Sequence, residues 1–143
     1  MREKALLDLK ACFSPLLILA VGVGLYANSL SNPFVFDDLE IIVDNPDIRS
    51  LWPPTWARVT DLPHASVNGR PLVALSLALN FAAGDLEARG YRVVNLALHL
   101  ACALTLYGIL RRTLERIDAP LQLAGSGARL ATAIALLWLV HPL

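Results

Sequence analysis

Long runs of apolar residues without a charged side chain dominate the hydrophobic pattern of this 143-residue chain. Residues 11–30 form the first such run, and residues 93–110 form the second, which ends at Arg111 and Arg112. A helix of about 20 residues is about 30 Å long, which is the thickness of the hydrocarbon core of a bilayer. Both runs therefore predict transmembrane helices.

A third uncharged run covers residues 130–143, which is too short to cross a bilayer as a single helix. It predicts the start of a third transmembrane helix, and thus the N-terminal piece of a longer protein. A cleaved signal peptide is the alternative for the first run, because Arg2 and Lys4 precede it. Glu3 and Asp8 in the same stretch, and the poor small-residue cleavage site, favour an uncleaved helix.

The segment between the first two runs, residues 31–92, has a different pattern. Five prolines between positions 33 and 63 interrupt any long helix. Residues 71–84 are uncharged but too short to span a bilayer, and Pro71 and Gly84 suit the start and the end of a helix. A short apolar helix of this kind is predicted to lie at the membrane interface.

Lysine and arginine are denser in residues 1–10 and 111–129 than in residues 31–92. Positive residues collect on the cytoplasmic side of a membrane, so the first two segments are predicted to be a cytoplasmic tail and a cytoplasmic loop. The segment 31–92 is then an extracytoplasmic loop. The predicted fold class is an all-α membrane protein with two full transmembrane helices, a truncated third, and an outer loop that carries an interfacial helix.

The composition agrees with this fold class and argues against a soluble domain and against a nucleic-acid-binding protein. The chain is 56% hydrophobic and 17% charged, against about 45–50% and about 25% in soluble domains. Its net charge is zero and it has no basic block, so we expect no binding to nucleic acid. Cys12 and Cys102 lie in apolar runs without metal-ligand spacing, so we expect no metal site and no cofactor, and leave a divalent-cation requirement open. The richness in Ala, Leu and Arg suggests a multi-pass protein of a bacterial inner membrane.

Two adjacent carboxylates, Asp37 and Asp38, follow Phe34-Val35-Phe36 just after the first predicted helix. Carboxylates at this place suit a general base or a metal ligand beside a lipid-borne substrate. From the residues alone, a solvated acidic turn is the simpler interpretation. Successive side chains of an extended backbone point in opposite directions. We therefore expect a division of labour, in which one carboxylate is the base and the other holds backbone donors or a cation.

Several short segments occur in an order that is typical of one family, although no single segment is specific. They are YANSL (26–30), FVFDD (34–38), IVDNPDI (42–48), RPL (70–72), GYRVVNLALH (90–99) and LVHPL (139–143). Together they resemble the transmembrane and tetratricopeptide-repeat-containing protein O-mannosyltransferases and their bacterial relatives, which are glycosyltransferases of the GT-C class. The resemblance covers about residues 20–143.

The resemblance implies a polyprenyl-phosphate sugar as donor, a protein or glycan hydroxyl as acceptor, and an inverting reaction at the outer surface of the lipid bilayer. It places the catalytic base in the first outer loop, at Asp38 as first candidate or at Asp37. Arg70 is expected to bind the donor phosphate through its guanidinium; an interfacial anchor is the alternative. Because a donor cavity needs more helices than this sequence predicts, the chain alone is expected to be inactive.

Two other functions stay open at this point. A small non-catalytic membrane scaffold would use the acidic loop as a docking surface. A transporter fragment would use Asn95 and His99, which lie four residues apart in the second predicted helix. Polar groups inside a membrane are costly and face the protein interior. We therefore expect these two to form hydrogen bonds to the first or third helix.

Overall fold

The computed structural model describes residues 2–57, 70–116 and 127–141, with side chains from residue 13 onward. Every regular element in these ranges is helical, and the four α-helices are α1 (Arg2–Tyr26), α2 (Pro71–Gly84), α3 (Ala88–Arg116) and α4 (Gly127–Val140). Two stretches are long and apolar enough to cross a membrane, Phe13–Ser31 and Ala88–Arg116. The chain is an all-α membrane protein, as the uncharged runs predicted.

The long helices differ in their bounds from the apolar runs that predicted them: both begin earlier, α1 ends before its run does, and α3 ends after its run. Helix α1 already begins at Arg2 and ends at Tyr26, where a 3-10 turn (Ala27–Ser31) takes over. Helix α3 begins five residues before position 93 and continues to Arg116. Charged residues such as Glu, Lys and Arg are good helix formers. An uncharged run therefore marks only the part of a helix that can lie in lipid, and the helix can continue beyond it. Asn and Ser compete for backbone hydrogen bonds, which explains the end of α1.

The two shorter helices begin and end near the predicted positions. Helix α2 has the bounds of the predicted helix, with Pro71 in its first turn. It ends where Asp85 adopts a positive φ of 54° and donates its N–H to Phe81 O. Helix α4 ends at Val140, shortly before Pro142 in the sequence. The membrane-surface position of α2 stays a prediction, and part of the predicted loop 111–129 lies outside the described residues.

The chain divides into two compact units, and α3 supplies residues to both. The helical unit contains the residues up to Asn28 and those from Asn95 onward. Helix α1 packs on α4 in this unit, and Gly22 lies against Leu100 and Leu139. Small residues let membrane helices approach closely. The core of the helical unit consists of Ile18, Ala103, Tyr107, Ala131, Ala135 and Leu139.

The loop unit, residues 29–94, is built from short turns and α2. A π-helical turn (Leu39–Val43) precedes two 3-10 turns (Pro46–Arg49 and Thr55–Ala57). Asn45 caps the start of the 3-10 turn Pro46–Arg49, because its side-chain oxygen accepts the N–H of Asp47 at 3.0 Å. Helix α2 packs against the two 3-10 turns. The core of this unit is small and consists of Ile42, Ile48, Ala78 and Tyr91.

Arg49 connects the turns of the loop unit to α2. Its Nη2 donates to the carbonyl oxygens of Ile42, at 3.3 Å, and Val43. Its guanidinium carbon lies 4.5 Å from the centre of the Phe81 ring, which is a cation–π geometry. One charged side chain thus satisfies backbone acceptors that no regular hydrogen-bonding ladder reaches.

Candidate functional site

The two predicted carboxylates lie in one tight turn, residues 35–38, which we call the acidic turn. The backbone N–H of Asp38 donates to Val35 O at 3.1 Å, and that of Leu39 donates to Phe36 O at 3.1 Å. The Asp38 carboxylate in return accepts the N–H of Val35, at 3.3 Å from Oδ2. A short polar side chain therefore closes the turn onto its own backbone.

Phe36 occupies the second position of the acidic turn and is strained there. Its φ is 49°, in the left-handed region that bulky residues rarely adopt. Such a conformation costs about 1–3 kcal/mol, and the hydrogen bonds of the turn hold it in place. The side chain of Phe36 is 89% exposed, so the turn presents an aromatic ring next to Asp37.

Asp38 has one partner outside its own turn, which is Arg92. Arg92 Nη2 donates to Asp38 Oδ2 at 2.8 Å and to Pro33 O at 2.8 Å. The side chains of the ion pair are only 21% and 28% exposed for Arg92 and Asp38, so bulk water screens the pair incompletely. Asp38 thus holds one backbone donor and one cation.

Asp37, by contrast, lies at the tip of the acidic turn and is exposed. None of the described residues forms an ion pair or a hydrogen bond with its carboxylate. Its oxygens are therefore open to an incoming group. The two neighbouring acids have the unequal surroundings that a division of labour requires, with Asp38 engaged and Asp37 open.

The sequence pattern did not predict a role for Arg92 beyond its place in GYRVVNLALH and its contribution to the predicted orientation. It lies 54 residues from Asp38 in the chain, so spacing gives no signal for the pair. Arg92 lies in the second turn of α3, and the Asp38 carboxylate compensates its charge.

Arg70, the predicted phosphate ligand, is exposed at the start of α2 and its side chain caps no backbone group. Its carbonyl oxygen accepts the N–H groups of Val73, at 3.0 Å, and Ala74, at 3.1 Å. Among the described residues, Arg70 forms no ion pair with either acid of the turn. The structure therefore does not join it to the acidic turn by direct contact.

In the described part of the chain, no three His, Cys, Asp or Glu side chains are arranged to hold a metal ion.

A second polar cluster lies in the helical unit. His99 Nε2 lies 3.1 Å from Leu139 O, and Tyr26 Oη donates to the same oxygen at 2.8 Å. The His99 ring stacks on Trp138 at 4.8 Å and meets Tyr26 edge-on at 5.3 Å. Because a carbonyl oxygen only accepts, Nε2 must carry the proton. His99 thus forms the predicted hydrogen bond to the third predicted transmembrane helix, which is α4. Asn95 is exposed and bonds to none of the described residues.

Comparison with known proteins confirms the resemblance found in the sequence. The chain is 28% identical to the protein O-mannosyl-transferase TMTC3 of Mus musculus over 89% of its length. It is 32% identical to Tmtc3 of Drosophila melanogaster over 82% of its length, and 36% identical to TMTC2 of Homo sapiens over 57%. These relatives also bear the name protein O-mannosyl-transferase.

The matched region is a small part of each relative. The chain spans 13% of the mouse protein, 14% of the fly protein and 11% of the human protein. No family model matches the chain, and no solved structure matches it.

Proposed function

We propose that this chain supplies the acidic turn of a membrane glycosyltransferase that transfers a sugar from a polyprenyl phosphate to a hydroxyl of a protein or glycan. The relatives are named for O-mannosyl transfer to protein, which supports this class of reaction. The acidic turn follows the apolar stretch Phe13–Ser31 by a few residues, which suits a donor that is anchored in lipid. Because the chain spans only a small part of its relatives, the activity is proposed for the whole protein.

In this proposal Asp37 is the general base. Its carboxylate takes the proton of the acceptor hydroxyl while the hydroxyl oxygen attacks the anomeric carbon of the sugar. The bond between that carbon and the phosphate oxygen breaks, and the lipid phosphate leaves with the electron pair. The open surroundings of Asp37 carry this assignment. Asp38, the first candidate by sequence, is already paired with Arg92 and is proposed to hold the turn.

Arg70 is proposed to bind the phosphate of the donor. Its guanidinium is exposed and forms no ion pair with the acids of the turn. A guanidinium donates two parallel hydrogen bonds to phosphate oxygens, and its charge stabilises the phosphate as it departs. Arg70→Lys should retain part of the activity and Arg70→Gln less, measured as the rate of sugar transfer at saturating donor. Equal activity of both variants with the unmodified protein would leave Arg70 as an interfacial anchor.

The experiment for the base is Asp37→Asn in the full protein, in membranes, with sugar transfer as readout. Loss of a positioned general base costs about 10²–10⁴-fold in rate. The matched control is Asp44→Asn, which removes the same charge from another exposed acid of the loop unit and should keep nearly full activity. Full transfer by the Asp37→Asn variant would show that Asp37 is not the base. Absence of transfer by the unmodified full protein would instead support the non-catalytic scaffold.

The membrane orientation is proposed from the positive residues, with the loop unit on the outer side and the end of α3 inside. Cysteines introduced at Asp44 and Arg116 test it with a membrane-impermeant thiol reagent. Position 44 should react in intact cells, and position 116 only after the cells are permeabilised. The opposite result would reverse the orientation.

A bacterial inner membrane stays a prediction from composition, while the relatives named above come from animals.

A further inference from the structure

We propose that Arg92 is a positioning residue, which fixes the acidic turn to α3 and thereby aims the Asp37 carboxylate. The catalytic part of this inference rests on the function proposed above. The attachment itself is a statement about the fold and is tested separately below.

One nitrogen of Arg92 holds both ends of the segment that contains the turn. Nη2 donates to Pro33 O at the start of the segment and to Asp38 Oδ2 at its end, each at 2.8 Å. Asp38 Oδ2 also accepts the N–H of Val35. The same carboxylate oxygen therefore links the helix to the backbone of the turn, so a movement of Arg92 is transmitted to the residue next to Asp37.

A second, apolar contact lies next to this polar one. Tyr91 is 3% exposed and its ring meets the Phe34 ring edge-on, with 5.4 Å between centroids. Tyr91 Oη donates to Asp85 O at 3.1 Å, which fixes the tyrosine in turn. A single contact would let the segment rotate about it, whereas contacts from two successive residues of α3 also define its direction.

The geometry predicts which substitutions preserve the attachment. Both hydrogen bonds come from Nη2, while Arg92 Nε is buried and has no partner among the described residues. A lysine carries three donors on one nitrogen, so Arg92→Lys can reproduce both contacts with a small shift. Arg92→Gln lacks the charge and the reach, so it should release both ends of the segment.

The first readout is structural and needs no enzyme assay. In the full protein, Arg92→Gln should raise amide hydrogen exchange at Val35, Asp38 and Leu39 at least tenfold, because the turn opens more often. Arg92→Lys should restore most of the protection. The matched control is Arg89→Gln, which removes the same charge from an exposed position on the same helix and should leave exchange unchanged.

The second readout is kinetic. A misplacement of about 1 Å can cost about 10²-fold in rate, so Arg92→Gln should lower kcat about 10- to 100-fold with less than a threefold change in the KM of the acceptor. Arg92→Lys should return to within about tenfold of the unmodified enzyme. The Arg92→Gln and Asp38→Asn double variant should lose no more activity than either single variant, because residues that act as a unit are not additive.

The outcomes separate this inference from the proposed function. If Asp37→Asn abolishes transfer but Arg92→Gln changes neither exchange nor kcat, only the positioning role is wrong. If exchange rises and kcat stays unchanged, the attachment exists but does not aim a base, and the inference is also wrong. If Asp37→Asn is fully active, the proposed function fails, while the exchange measurement still tests the attachment. Should Arg92→Gln unfold the protein, the Asp38→Asn variant supplies both readouts, because it removes the charge from the other end of the same ion pair. Raised exchange at Val35 together with a lowered kcat would support the inference, and no change in either would overturn it.

Discussion

The helical unit and the loop unit satisfy their backbone polar groups in different ways. In the helical unit, backbone groups pair mainly along the long helices. Thr105 and Thr132 each donate to a carbonyl one turn earlier in their own helix, and side chains of other helices donate to the carbonyl of Leu139. In the loop unit, the side chains of Arg49, Arg92, Asn45 and Thr55 bond directly to backbone groups. The first unit depends on regular secondary structure, and the second depends on particular residues.

This difference has a physical cause. A helix that crosses a bilayer must satisfy its own backbone, because lipid offers no hydrogen bonds. Short turns cannot do so, and their carbonyls need other donors. A loop held by individual side chains can place one carboxylate in an ion pair and leave its neighbour open, as Asp38 and Asp37 show. The helical unit has no comparable freedom, since its geometry repeats every turn.

The largest effect that tests this comparison is expected from Ile48→Ala in the loop unit. Ile48 is 1% exposed in a core of few residues, and such a truncation costs about 2–5 kcal/mol. Hydrogen exchange should rise across residues 39–49 and stay unchanged in the part of α3 that belongs to the helical unit. Leu72→Ala is the control, because Leu72 is 80% exposed. Equal loss of protection in both units would show that they unfold together.

An intermediate effect is expected from enlarging Gly22 in the helical unit. A side chain there would collide with Leu100 and reach Leu139 at 3.2 Å, whereas Gly24 has open space around it. Gly22→Leu should destabilise the protein by about 1–3 kcal/mol through overpacking, measured by unfolding in detergent micelles. Gly24→Leu makes the same change in helix propensity without a collision. A similar result for the two variants would argue against close packing at Gly22.

The smallest effect is expected from Tyr26→Phe. Hydrogen bonds between membrane helices contribute about 0.6 kcal/mol on average, and Leu139 O keeps its bond to His99 in this variant. In a His99→Phe background the same substitution should cost more, because both side-chain donors to the carbonyl are then gone. Unfolding in micelles of the four proteins measures this coupling. Strict additivity would mean that the two donors do not share one acceptor.

The membrane helices could be predicted from the sequence because the signal is local. An uncharged run favours lipid whatever sequence surrounds it, and Pro71 and Gly84 at the ends of such a run predicted the bounds of α2. The acidic pair was also visible, since adjacent aspartates after an apolar stretch form a short contiguous motif. The ends of α1 and α3 were predicted less well, because charged residues continue a helix that hydrophobicity alone would end.

The unequal surroundings of Asp37 and Asp38 were decided only by the tertiary structure. Two identical side chains at consecutive positions have nearly the same local sequence, so the sequence predicted a division of labour and named Asp38 only as the first candidate for the base. Arg92 makes their surroundings unequal, from 54 residues away, by bonding to one carboxylate and to Pro33 O. The sequence by itself determined which segments need a membrane, because hydrophobicity is a property of each segment. The partner of a single charge depends on the path of the whole chain, which short-range patterns do not contain.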